Sequence, residues 1–176
     1  MKPESIEISH QEKLKLKLLS GEITPGAFLD EIEKIDQSTL DRKNSFENIK
    51  VLEDAEVREK FKGSDVVFLY ENLLSLTYFH IGQNEALEGQ VGALSHFQSA
   101  LEAAKKALEV SGEVVGYDSE WVYYVRATVS YLRKDLAELE SCLPKITSRK
   151  NMLVVINLID GLKKRGEIDY KTDYHI

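Results

Sequence analysis

Three groups of side chains in this sequence have the types and spacing that could do chemistry. Glu7-Ile8-Ser9-His10 puts a carboxylate and an imidazole one helical turn apart, the Glu-x-x-His spacing of carboxylate-bridged metal helices. Such a centre also needs further glutamates and a second Glu-x-x-His from a facing helix, and the sequence has no second copy. His80 and His96 fall on helices that pairing could bring together, but two imidazoles without a defined third ligand are not a metal site. The lone cysteine, Cys142, lies in an apolar helical stretch and reads as a small buried side chain rather than a nucleophile. Gly-rich phosphate loops, Gly-x-Ser-x-Gly and His-Glu-x-x-His are all missing. The expectation is therefore no catalytic residues, no metal and no cofactor. A dispersed-site enzyme or small-ligand binder, lodged near Tyr78, His80 and Trp121, stands as the least favoured alternative.

The elements that must position these residues read as helices throughout. Ala93, Phe97, Ala100 and Ala104 recur at helical spacing, with Leu94, Leu101 and Leu108 beside them. Small residues at that spacing let a second helix approach closely, and Phe97 fills the gap between the two. Before this stretch, residues 9–19 form a helix stopped by Gly21, although Leu14, Leu16 and Leu18 also alternate like a strand. Thr24 caps a helix that starts at Pro25 and turns Phe28, Leu29, Ile32 and Ile35 inward. Residues 40–61 fit one bent helix or two short ones, with Phe46, Ile49 and Leu52 and then Val57 and Phe61 in period. A helix from Val66 to Ile81 is apolar on most sides and so expects neighbours on both flanks, with Gly82 as its stop.

After the long helix at Ala93–Val110, Ser111–Tyr117 reads as a loop, and Asp118 or Ser119 caps a helix carrying Trp121, Tyr124, Val125, Thr128 and Leu132. Lys134-Asp135 makes a tight turn. A helix with Leu136, Leu139, Leu143 and Ile146 follows, bent or ended by Pro144. Asn151 caps a last helix that turns Leu153, Ile156, Ile159 and Leu162 inward and ends at Gly166, leaving residues 166–176 as a tail. The fold expectation is all-α, with about seven or eight helices and no strand.

Composition narrows the function. Apolar residues make up 43% and charged residues 30%, which suits a soluble globular domain and is too apolar for disorder. A net charge of -7 disfavours a nucleic-acid partner. The short basic runs Ser148-Arg149-Lys150 and Lys163-Lys164-Arg165 read as ordinary helix-end cations. No apolar run approaches the ~20 residues of a spanning helix, and the opening Met-Lys-Pro-Glu-Ser does not read as a signal peptide. With one cysteine and no disulfide, a cytoplasmic location without membrane association is expected. Leu87, Leu94, Leu101 and Leu108 recur every seven residues, but Val91, Gln98 and Lys105 do not supply the second apolar stripe of a zipper, so these leucines are expected to pack within the chain.

Two consecutive helix pairs resemble tetratricopeptide repeats. Leu74, Ser75, Tyr78 and Gly82 match the family's first helix, and Ala93, Phe97, Ala100 and Leu101 match its second. In the next pair Trp121, Tyr124, Thr128 and Ala137 take the corresponding places, whereas Ser141 and Pro144 stand where an aromatic and an alanine belong. The equivalent positions Glu71 and Trp121 are 50 residues apart, wider than the family's repeat of about 34. The resemblance covers about half of the chain. It implies antiparallel hairpins stacked as a short α-solenoid: residues 64–165 as the array with a capping helix, residues 1–62 of uncertain relation to it, and 1–176 as one helical domain.

It also implies a partner groove lined by Asn72, Leu76, Phe79 and His80 from one pair and by Val122, Arg126, Val129, Ser130 and Arg133 from the next. Arg126 and Arg133, seven residues apart on one helix face, would hold a partner carboxylate. The function expected on this basis is a non-catalytic module that binds another protein or peptide. A structural or self-associating subunit, forming homo-oligomers through its leucine-rich faces, is the alternative.

Overall fold

The computed structural model describes residues 8–39, 42–112 and 119–174, and is all-α. Among the described residues there are ten α-helices: α1 (His10–Ser20), α2 (Pro25–Thr39), α3 (Arg42–Leu52), α4 (Ala55–Phe61), α5 (Val67–Leu87), α6 (Ala93–Ser111), α7 (Ser119–Leu132), α8 (Leu136–Cys142), α9 (Arg149–Arg165) and α10 (Tyr170–Asp173). No helix among them is long and apolar enough to cross a membrane.

Local chemistry sets most boundaries. Ser9 Oγ accepts from the Glu12 amide at the start of α1, and Gly21 closes that helix in the left-handed conformation at φ 78°. Thr24 Oγ1 accepts from Ala27 N at the head of α2. Residues 42–61 form two helices rather than one bent helix, because Asp54 breaks the run and caps α4 through the amides of Glu56 and Val57. The turn between α7 and α8 forces Lys134 to φ 59°, and Asp135 caps α8 through Glu138 N. Pro144 ends α8 in a single 3-10 turn, Leu143–Lys145.

Several expectations are corrected. Gly82 does not stop α5, which continues to Leu87. A Cβ there would lie 3.1 Å from the Phe97 ring and 3.2 Å from the Ala93 carbonyl oxygen, so the glycine serves close helix approach. Asn151 does not cap α9, which begins at Arg149. The inner face of α9 is Val154, Val155, Leu158, Ile159 and Leu162, rotated from the expected one, and Leu153 is 43% exposed. The tail contains α10, whose Tyr170 and Asp173 are buried. Of the expected loop Ser111–Tyr117, Ser111 still belongs to α6, and Ser119, the alternative cap, is the first residue of α7, while residues 113–118, Asp118 among them, fall outside the described residues.

Two apolar cores flank α5. Leu14, Leu18, Phe28, Ile32, Leu52, Val57 and Phe61 from α1–α4 meet Tyr70, Leu73, Leu74 and Ile81 of α5. On the other side Phe79 of α5 joins Ala93, Phe97, Ala100 and Ala104 of α6, together with α7, α8, α9 and α10. Being covered on both sides explains why α5 is apolar around its circumference. Its pairing with α6 is held by the Phe79–Phe97 edge contact at 5.0 Å and by Ser75 Oγ donating to the Ala100 carbonyl at 2.8 Å. Trp121 of α7 joins the pair through Nε1, which donates to Ser75 Oγ at 2.8 Å.

Candidate functional site

The nine residues expected to line one groove do not form one open face. Phe79, Val122, Val129 and Ser130 are buried. The first three lie in the core that α9 completes with Val154, Val155 and Leu158, so they act as core rather than as wall. Asn72, Leu76 and His80 are half-buried on α5. Arg126 lies 5.8 Å above the Tyr123 ring and 3.6 Å from Glu138, while Arg133 is exposed at the end of α7.

The two histidines do not share a site. His96 Nδ1 pairs with Glu85 at 2.7 Å, and His80 Nδ1 pairs with Asp36 at 2.5 Å. Around Asp36, Ser45 Oγ donates to Oδ1 at 3.2 Å and Asn48 Nδ2 at 3.4 Å. Serine, histidine and aspartate thus meet in one buried cluster, yet both Ser45 and His80 bond to the aspartate. An activated serine needs the imidazole between hydroxyl and carboxylate, so this cluster serves to join α2, α3 and α5. Among the described residues no three His, Cys, Asp or Glu side chains are grouped to hold a metal ion, and Glu7 lies outside them. Cys142 is buried, and that burial pushes its thiol above the ordinary range, away from thiolate.

Glu120, 4% exposed at the start of α7, shows how the second core is locked. Its carboxylate accepts from Thr147 N at 3.0 Å, from Thr147 Oγ1 at 2.5 Å, from Ser148 N at 3.0 Å and from Asn151 Nδ2 at 3.2 Å. These donors sit at the head of α9, where a negative charge satisfies open amides and the helix dipole. Burial alone would raise the carboxyl's pKa. The hydrogen bonds from Thr147, Ser148 and Asn151 outweigh it and hold the group below its ordinary value.

An open cleft lies elsewhere, along the flank of α5 and α6 that faces α4. Its volume is about 950 Å³. Phe61, Leu74, Tyr78 and Ala103 form its apolar floor, and Ser95, Ser99, Lys106 and Val110 run down the α6 wall. From Ser95 to Val110 that wall extends about 22 Å at the α-helical rise. Both rims carry charges of both signs, paired along the walls: Arg58 with Glu53 at 3.0 Å, Lys106 with Glu71 at 3.2 Å and Lys105 with Glu102 at 2.9 Å. The Tyr70 hydroxyl donates to the Leu52 carbonyl at 2.6 Å. Burial and the neighbouring Glu53 push the Tyr78 phenol above its ordinary value, so it stays protonated. The lining has no histidine, cysteine or aspartate to pair with the serines.

Phe61, Leu74 and Tyr78 stood out in the sequence as helix-packing positions, and Tyr78 also as a neighbour of the least favoured ligand site, but the cleft they floor did not. The available signal was the row Ser95, Ser99, Ala103, small residues four apart on the side of α6 opposite its aromatic face. Compared with family models, curated proteins and solved structures, the chain matches none.

Proposed function

We propose that this chain is a non-catalytic recognition module that captures a helical segment of another protein in the cleft between α4 and α6. The shape of the cleft carries this reading. An opening about 22 Å long, with an apolar floor and a wall of small side chains, suits one face of an amphipathic helix of about 15 residues better than a compact metabolite. The rims favour a segment of mixed charge, because each wall presents both signs, and binding to such walls depends weakly on salt. The net charge of -7 supports a protein rather than a nucleic-acid partner. The packed hairpin of α5 and α6, with α7 stacked on it, supports reading these helices as a short tetratricopeptide-like array. The cleft, however, is not on the face where that resemblance places the groove.

The test is a display library of helical peptides of about 15 residues, selected against the whole chain. Ser95 is exposed and Ser99 half-buried, so Ser95→Arg and Ser99→Arg obstruct the cleft without disturbing the core. Selected peptides are expected to bind either variant at least about tenfold more weakly, a loss of about 1.4 kcal/mol, with an unchanged melting temperature. Peptides that bind both variants as well as the original chain, or a library that yields none, would overturn the assignment.

A further inference from the structure

On the opposite flank of the hairpin, α10 occupies a socket built by α5, α6, α7 and α9. A helix of 4 residues has no stability of its own, so its order comes from the surface it rests on. It is reached through an exposed stretch, residues 163–169, and is anchored by three side chains. The Tyr170 ring inserts beside Phe97 at 5.9 Å and Tyr131 at 6.2 Å. Asp173 is gripped by Arg165 and accepts from the Tyr131 hydroxyl at 2.6 Å. It rests against Gly161, where any side chain would collide with its carboxyl group. The Tyr174 hydroxyl bonds to that of Tyr124 at 2.7 Å, and Gln83 also bonds to it.

This is the geometry of a recognition site with its ligand seated: an aromatic pocket, a cation and hydroxyl for a carboxylate three residues on, and a glycine that makes room for it. The fit has one flaw. The Tyr170 hydroxyl is buried with no hydrogen-bond partner among the described residues. A buried polar group left unpaired weakens the segment that carries it, so a segment with the same aromatic-x-x-Asp pattern and no such hydroxyl would fit better.

We propose that this socket is a second binding site, for an aromatic-x-x-Asp segment of a partner protein, and that Asp169–Tyr174 is its displaceable occupant in cis. A tethered occupant competes at an effective concentration in the millimolar range. The socket therefore stays closed to weak ligands and opens to a partner that binds better or arrives with additional contacts.

The test uses the whole chain and a fluorescein-labelled peptide of residues 167–174 carrying Tyr170→Phe. Asp173→Ala in the chain loosens the cis segment while leaving Arg165 and Tyr131 in place. It is expected to tighten peptide binding at least about tenfold over the unaltered chain. A peptide that also carries Asp173→Ala should lose that binding. Equal binding by both chains, or by both peptides, overturns the proposal. Hydrogen exchange on the unaltered chain gives a second measure should Asp173→Ala fail to fold. The amides of Asp173 and Tyr174 should exchange about 100-fold faster than those in the middle of α7, through an opening smaller than global unfolding. Exchange of those amides only with global unfolding would make α10 a permanent part of the core. Neither measurement touches the α4–α6 cleft, so the two sites stand or fall separately.

Discussion

Along one flank of the α5–α6 hairpin, aromatic rings from four helices meet and the surface is closed. Along the other, serines and paired charges line α6 and a cleft stays open. The same two helices make both surfaces. On the closed flank Phe79 and Phe97 meet Trp121, Tyr124 and Tyr170, with ring centroids 5.0 to 5.9 Å apart. On the open flank Ser95 and Ser99 take the positions where large side chains would have filled the space. Helix pairing here fixes the scaffold, while the residues just outside the pairing face decide which side remains available to another molecule.

The sharpest way to break this contrast is at Phe97, fully buried and pressed against Gly82. Phe97→Ala removes the ring that joins α5, α6 and α10 and leaves a cavity that rigid helices cannot collapse. Denaturant unfolding should show a loss of about 4 kcal/mol. The cleft-blocking Ser99→Arg should stay within about 0.5 kcal/mol of the original chain. Comparable losses at the two positions would mean that the open flank is part of the structural core.

How much of this was legible follows from the range of each interaction. The helices of the pair and most caps depend on neighbours within four residues, and Ala93, Phe97, Ala100 and Ala104 announced their buried stripe in the sequence. The α4–α6 cleft was hidden because it depends on where α4 comes to rest, which no local spacing encodes. The groove expected from the repeat resemblance was misjudged for a similar reason: α9 packs into the core containing Val122 and Val129. Gly82 was misread because a glycine that ends a helix and one that admits a neighbouring ring look alike in sequence. The α10 segment showed no period because its order comes from Tyr131, 42 residues before Asp173.

Glu120 offers a smaller but pH-dependent test of what holds the closed flank together. Its carboxylate satisfies the head of α9, and Glu120→Gln replaces a charged acceptor with a weaker neutral one, at an expected cost of about 2 kcal/mol at neutral pH. The folded-state pKa lies below the ordinary value of 4.5. The unfolded chain therefore binds this proton more readily than the folded one. The stabilisation is fully present above about pH 4.5 and is lost as the pH falls through the folded value. Urea titrations between neutral pH and about pH 3 should show the original chain weakening over that window, and the Gln variant losing this contribution to the slope. An unchanged slope would place the acid sensitivity elsewhere in the chain.

The smallest expected effect has the opposite sign. Tyr170→Phe keeps the ring contacts with Phe97 and Tyr131 and removes a hydroxyl that is buried without a partner among the described residues. Burial pushes this phenol well above its ordinary value, so it remains a neutral donor with no acceptor to receive it. Deleting such a group should stabilise the chain by about 1 kcal/mol, seen as a higher denaturant midpoint with an unchanged slope. The gain should be matched by slower exchange of the Asp173 and Tyr174 amides, because only the docked state of α10 is improved. A loss of stability instead would mean that the hydroxyl is satisfied in solution. The closed flank would then hold its occupant as firmly as any other core element, and the open cleft alone would be left for recognition.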